Sequence, residues 1–518
     1  MKRRTHMEKP LIKKMKEDYG YFGMLSILYG LIVAFCFYKN SHGITIIFYV
    51  GITILFALLY MKRVNFKLQK KSKRYFAGMI LLSVATCLTT DVFFITFNFI
   101  GILLLFGVAM IRQFYDDGKW NFPAYLERIF ILFGTTILRL PYPFKHGIYF
   151  ATNKKQGKGK TFAAVFTGLL ISLGLVSVIL PPLLNSDLMF AKIFGEILKY
   201  INFRNLFGIT MFVLIGFVSF YAFYTALGSY NFPLDNNRKI KYYNPVIGIT
   251  FTSVLAIVYS AYCVIQILYL FLGVSKGLPK GVSYSEYARS GFWELLFVAV
   301  VNFILVLVCM YVYSKSNILR GVLTFISICT YIMIISAAYR ITIYVSQYHL
   351  SFLRVLAMWF LLVLSLIMVG VIVNIYKEAF PLSRYIITII SVCYILFALG
   401  RPNYWIVQYN VAHTQNMGMK DLNYLIKNFP EDAAGAIAKL NPEEIAEAES
   451  SYYDDSENNK VERVKGHLYD YYAQLKQDNQ GIYFRQANYA RIRARQIAEE
   501  YLEEHAEDEK YAFSSGKK

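Results

Sequence analysis

Acidic side chains are scarce over the first 399 residues, which hold 13 Asp+Glu against 39 Lys+Arg, whereas the last 119 hold 20 against 15. The net charge of +21 is therefore a basic segment followed by a mildly acidic one. Cysteine is nearly as sparse. The six, Cys36, Cys87, Cys263, Cys309, Cys329 and Cys393, all fall in apolar runs without metal-ligand spacing, which excludes a zinc module or a disulfide-stapled exterior domain and fits buried packing residues. The seven histidines are scattered with no HExxH pair, and no GxSxG occurs, so neither zinc hydrolysis nor a nucleophile elbow is supported. Gly157–Thr161 ends like a phosphate-binding loop, but Lys154 stands where the first glycine is needed and no strand precedes it. A basic loop near anionic headgroups is the simpler reading. No cofactor or metal is expected.

Long apolar runs are abundant. Hydrophobic residues make up 56% of the chain and mean hydropathy is +0.41, and the basic residues are interleaved with apolar segments too long for soluble core helices. That excludes a nucleic-acid partner and makes the lipid bilayer the solvent. A bilayer-crossing segment must be a helix of about 20 apolar residues, because only a helix pairs its own backbone groups there. Eleven segments between Tyr21 and Leu399 qualify. The shortest are Tyr75 to Thr90 and Tyr385 to Leu399, and the fifth is Phe162 to Leu180. The expected fold is all-α: a basic arm over 1–20, a multi-pass membrane domain over 21–399 and a soluble helical domain over 400–518. Amphipathic interfacial helices are expected near 123–140 and 188–201.

Cytoplasmic loops are enriched in Lys and Arg. With the amino terminus inside, 30 of the 39 cations lie on the inner side, where anionic lipid headgroups would meet them. Eleven spans then place the carboxy-terminal domain outside the cytoplasmic membrane. Asp91 and Asp187 sit where turn and cap residues are expected.

The richest polar region runs from Gln266 to Arg354. Helical spacing aligns Gln266 with Tyr269, Tyr287 with Glu294, Glu286 with Arg289, and Arg340 with Tyr344. With Tyr284 and Arg354, all lie near the outer leaflet. Charges at membrane depth are costly unless paired, so one ion-paired cluster ringed by tyrosine hydroxyls is expected. It serves either as an outward-facing pocket for a ligand or lipid headgroup, or as a clamp fixing helix ends. After Gly400 the pattern becomes amphipathic: Asp421 to Lys427, Glu431 to Leu440, a capped start at Asn441-Pro442, a polar insert SSYYDDSENNK, then helices near Val461 to Gln477 and Tyr483 to His505. This domain is expected to dock onto the membrane part or a protein partner.

The chain resembles a family of bacterial multi-pass membrane proteins, domain-of-unknown-function family 4173, related to family 4153. The resemblance rests on Gln266 to Phe271, Tyr284 to Leu295, Arg340 to Tyr344, Tyr348-His349-Leu350 and Arg354. In the tail it rests on Arg401-Pro402-Asn403, Tyr409 to Ala412, Asp421 to Leu425 and Asp432-Ala433. It implies no reaction, substrate or cofactor. Trp293 and His349 stand where the family more often has phenylalanine and glycine, and histidine at 349 argues against a tight backbone turn there. The expected function is non-enzymatic: a ligand- or lipid-handling, transporter-like protein, or a sensor and scaffold. The alternative is an enzyme acting on a lipid-linked substrate, with Glu286, Glu294 or Asp187 as acid or base.

Overall fold

Apolar runs of this length leave the backbone one way to pair its polar groups away from water, and helices form throughout. The computed structural model describes residues 10–40, 43–115, 120, 122–153, 203–229, 243–268, 291–377, 379–414, 417–448, 457–481 and 483–512, with scattered positions between 168 and 192. Among these residues there is no strand, and nine helices are long and apolar enough to cross a membrane. The chain is an all-α polytopic membrane protein. The expected fifth span, the Gly157–Thr161 motif and most of the amphipathic segment 188–201 lie outside the described residues.

Contacts divide the chain into two units: Met1–Lys119, Pro123–Leu234 and Ile482–Tyr489 in the first, and Trp120–Phe122, Asp235–Gly481 and Ala490–Lys518 in the second. In the first unit, α1 (Pro10–Glu17) leads into α2 (Tyr19–Phe37), α3 (Thr45–Arg63), α4 (Lys70–Cys87) and α5 (Val92–Phe114). These are followed by α6 (Phe122–Leu138), α7 (Tyr142–Asn153) and α8 (Phe203–Ser229). The short α4 is not among the nine apolar helices because its first turn carries Lys70, Lys71, Lys73 and Arg74. Asp91 caps α5 by accepting from Phe93 N–H at 2.7 Å, and Asp187 accepts likewise from Met189 N–H at 2.7 Å, as the turn-and-cap reading expects. Helix α6 buries Tyr125, Arg128, Ile129 and Leu132 and exposes Phe130, Ile137 and Leu138. Helices α2 and α8 approach so closely that a Cβ at Gly216 would lie 2.7 Å from the Gly30 Cα. Such paired small residues let membrane helices meet backbone to backbone.

The second unit holds α9 (Pro245–Gln266), α10 (Phe292–Val312), α11 (Asn317–Tyr348), α12 (Phe352–Tyr376) and α13 (Leu382–Leu399). Buried Asn302 of α10 accepts from the Tyr259 hydroxyl at 2.7 Å and donates to Thr330 at 3.0 Å, so this polar group in the apolar bundle is paired on both sides. The tail continues with α14 (Pro402–His413), α15 (Met419–Asn428), α16 (Pro430–Ile437), α17 (Pro442–Glu447), α18 (Glu457–Asp478) and α19 (Tyr489–Glu504). Its core gathers Leu422, Leu425, Ile437, Leu468, Tyr472 and Ala498, and Leu350 of the α11–α12 connection packs against it with Phe352 and Val355 at the start of α12. Arg401, at φ +50°, places its guanidinium 2.7 Å from the Asp432 carboxylate, whose side chain is 6% exposed.

Residues 483–488 do not continue α19 as the helical pattern suggested. Gly481, at φ +64°, turns the chain, and residues 483–488 run across the α2–α3 and α4–α5 connections within the first unit. The Arg485 guanidinium donates to Tyr38 O at 2.8 Å and lies over the Phe35 ring. Ile44 N–H donates to Ala487 O at 2.9 Å, the Thr45 hydroxyl to Arg485 O at 3.3 Å, and the Asn488 amide to Thr89 O at 2.9 Å. These long-range contacts, one backbone to backbone and three side chain to backbone, win over local helical propensity, which is a weak preference that tertiary contacts override.

Candidate functional site

Helices α11 and α12 are joined by only three residues, His349, Leu350 and Ser351, so the chain must reverse abruptly. His349 does so at φ +67°, ψ 167°, a region that suits glycine and costs a side-chain-bearing residue about 1–3 kcal/mol. The tight turn is therefore present although the residue is histidine. Three contacts hold it. The Arg354 guanidinium donates to His349 O, and the Asn410 side chain of α14 donates to Leu350 O and accepts from Leu350 N–H, both at 2.8 Å. The Thr414 hydroxyl lies 3.3 Å from His349 Nδ1.

Between this turn and the tail helices α14 and α15 lies a cavity of about 440 Å³ lined by His349, Leu350, Ser351, Arg354, Asn410, Thr414, Met417, Asp421, Tyr424 and Leu425. That volume is in the range of small-molecule sites. Arg354 is oriented by stacking 4.1 Å from the Tyr344 ring centroid, an arrangement that fixes a guanidinium plane while leaving its charge in place. Asp421 stands in the first turn of α15, where Oδ2 accepts from Gly418 N–H at 3.3 Å. Partial burial raises the pKa of the Tyr424 hydroxyl, and the Arg354 charge opposes that rise.

The cluster expected from sequence thus divides. Gln266 and Arg340 meet inside the bundle: Gln266 Oε1 accepts from Ser336 Oγ at 2.6 Å and from the Arg340 guanidinium at 3.3 Å, with all three side chains buried. Tyr344 and Arg354 meet at the turn. Glu294 is exposed in the first turn of α10 and is not drawn into either group. Tyr269, Tyr284, Glu286, Tyr287 and Arg289 lie outside the described residues. Sequence reasoning missed His349, Asn410, Thr414, Asp421 and Tyr424 as one site, because they come from three elements far apart in the chain. The short link between two spans, with an arginine just after it, was the available signal. Among the described residues no group of His, Cys, Asp or Glu is arranged to hold a metal ion.

Residues 76–440 match the domain of unknown function DUF4153, well over half of the chain. The chain belongs to the DUF4153 family. No curated protein and no solved structure matches it. The DUF4153 match takes in every residue lining the cavity and stops before residues 483–488. Two of the segments that carried the resemblance, Tyr409 to Ala412 and Asp421 to Leu425, both reach the cavity.

Proposed function

We propose that this DUF4153 protein is a non-enzymatic, ligand-handling protein of the cytoplasmic membrane, whose pocket at the α11–α12 turn takes an anionic group on Arg354 at the extracytoplasmic face. The observation that carries this is the cavity itself, with a stacked guanidinium on one wall and tail helices completing the other. A structural clamp would bring these elements together with no space between them. The likeness to family 4173, a bacterial group, belongs to the same reading. Anionic headgroups at the basic inner loops remain the proposed lipid partners, and the exposed tail surface is proposed to meet a protein partner.

The orientation follows from charge and is supported by packing. The basic arm, Lys67 of the α3–α4 connection and Lys70, Lys71 and Lys73 at the start of α4 define the inner end of the first unit. The α2–α3 and α4–α5 connections then mark the outer end, where residues 483–488 lie. Asn205 at the start of α8 meets Tyr38 and Lys39 at that same end, while Tyr115 after α5 bonds Leu227 at the other. A further crossing between Tyr115 and Asn205 is part of the proposed eleven-span orientation, and these two contacts support it. Against the enzyme reading, Asp187 is occupied as a cap and Glu294 is exposed, and no observation gathers them.

The test is native mass spectrometry of the full-length protein, gently extracted from its membrane. The wild type should retain a small anionic molecule that Arg354→Gln loses while staying folded, and equal retention by the variant would overturn the pocket. A cysteine replacing exposed Lys439 should react with an impermeant maleimide in intact cells.

A further inference from the structure

We infer that the pocket takes a zwitterion: a group in which a primary ammonium lies a few bonds from a phosphate or carboxylate. This rests on the reading that the cavity binds a ligand. The cavity presents opposite charges from different elements, Arg354 with His349 from the α11–α12 turn and Asp421 with Tyr424 from α15. The two charges do not close on each other. Among the described residues Asp421 makes no ion pair, and its carboxylate has only the long 3.3 Å bond from Gly418 N–H. The Tyr424 hydroxyl, which feels the Arg354 charge, and His349 Nε2 likewise have no hydrogen-bond partner among the described residues.

Each simple ion is disfavoured at this site. An anion drawn to Arg354 would share a cavity of about 440 Å³ with the Asp421 carboxylate. A cation drawn to Asp421 would face the guanidinium. A ligand carrying both charges satisfies both walls, since paired and hydrogen-bonded charges are the only ones that a partly buried site holds cheaply. In this arrangement the anionic end is held by Arg354 and by the free nitrogen of His349. The ammonium donates to Asp421 and to the Tyr424 oxygen. The ligand could be soluble or the headgroup of an ethanolamine phospholipid, which share this chemistry.

The test uses the full-length protein in nanodiscs of phosphatidylglycerol, titrated calorimetrically with phosphoethanolamine and, separately, with inorganic phosphate. Phosphoethanolamine is expected to bind about ten-fold tighter, the factor given by one charge-assisted hydrogen bond. Asp421→Asn and Asp421→Ser, which both keep an acceptor for Gly418 N–H, should remove that preference without weakening phosphate. Arg354→Gln should weaken both. Competition from phosphatidylethanolamine included in the disc would assign the ligand to lipid, and its absence to a soluble source. Equal binding of phosphate and phosphoethanolamine by the wild type would overturn the zwitterion and leave the pocket standing. Binding of neither, in either disc, would overturn both.

Discussion

Gly43 is the position at which the contact made by residues 483–488 can be broken with a single methyl group. A Cβ there would lie 2.6 Å from the Gln486 carbonyl carbon and 2.9 Å from both the Ala487 and Arg485 carbonyl oxygens. All three are backbone atoms, which cannot rotate aside. Gly43 is not among the residues at positive φ, so Gly43→Ala adds steric bulk without backbone strain of its own. To restore an ordinary separation of 3.4 Å from the present 2.6 Å, the segment must move by 0.8 Å, enough to break most hydrogen bonds. Four are at stake: Ile44 N–H to Ala487 O, Thr45 to Arg485 O, Arg485 to Tyr38 O and Asn488 to Thr89 O. At roughly 0.5–1.5 kcal/mol each, their loss amounts to about 2–6 kcal/mol of local stability. Hydrogen exchange followed by mass spectrometry reads this directly. In Gly43→Ala, peptides covering 483–488 and 43–46 should exchange at least ten-fold faster, with α18 and the α2–α8 pair unchanged. Unaltered protection would show that the segment is not held by this close approach, and a global loss of protection would show that it is not a local contact.

Three other outcomes are expected. Asp432→Asn leaves the Arg401 guanidinium without its carboxylate in a half-buried site, and should lower tail stability by about 3 kcal/mol, measured by thermal unfolding with a tail-specific fluorophore. His349→Gly relieves a backbone cost of roughly 1–3 kcal/mol against a glycine entropy cost of roughly 0.5–1 kcal/mol. It should therefore be neutral to about 2 kcal/mol more stable, yet bind phosphoethanolamine more weakly; a variant that loses stability would refute the strain argument. Burial lowers the His467 pKa below its usual 6.5, with Asp470 opposing, and its buried Nε2 has no hydrogen-bond partner among the described residues. The folded tail then binds fewer protons than the unfolded one, so this contribution is fully present above pH 6.5 and is lost as pH falls below it. The tail's unfolding midpoint should drop between pH 7.5 and pH 5.5, and His467→Gln should flatten that slope.

The spans were legible because hydropathy is a one-dimensional property. The polar cluster was legible only in part. Helical spacing aligns Arg340 with Tyr344, but it says nothing about neighbours on other helices, and these decide the site. Arg340 turns to Gln266, which also accepts from Ser336, whereas Tyr344 stacks on Arg354. Glu294, aligned with Tyr287 by spacing, is exposed at the start of α10. The link from Asn410 to both polar groups of Leu350 joins residues sixty positions apart and leaves no local trace. The 483–488 segment misled for the opposite reason. Its residues fit a helix well enough by themselves, whereas the observed path, a single 3-10 turn over Phe484–Gln486, is set by contacts to residues more than 390 positions earlier in the chain. His349 shows how strongly a short connection constrains the backbone: three residues between two long helices require the left-handed turn whichever side chain stands there.

The central claim is that the cavity beside Arg354 and Asp421 is a ligand site. The most direct measurement is a structure of the full-length protein in nanodiscs made from its own membrane lipids. Density bridging the Arg354 guanidinium and the Asp421 carboxylate is the predicted result. A cavity holding only water, or closed by Arg354 swung onto Asp421, would contradict it.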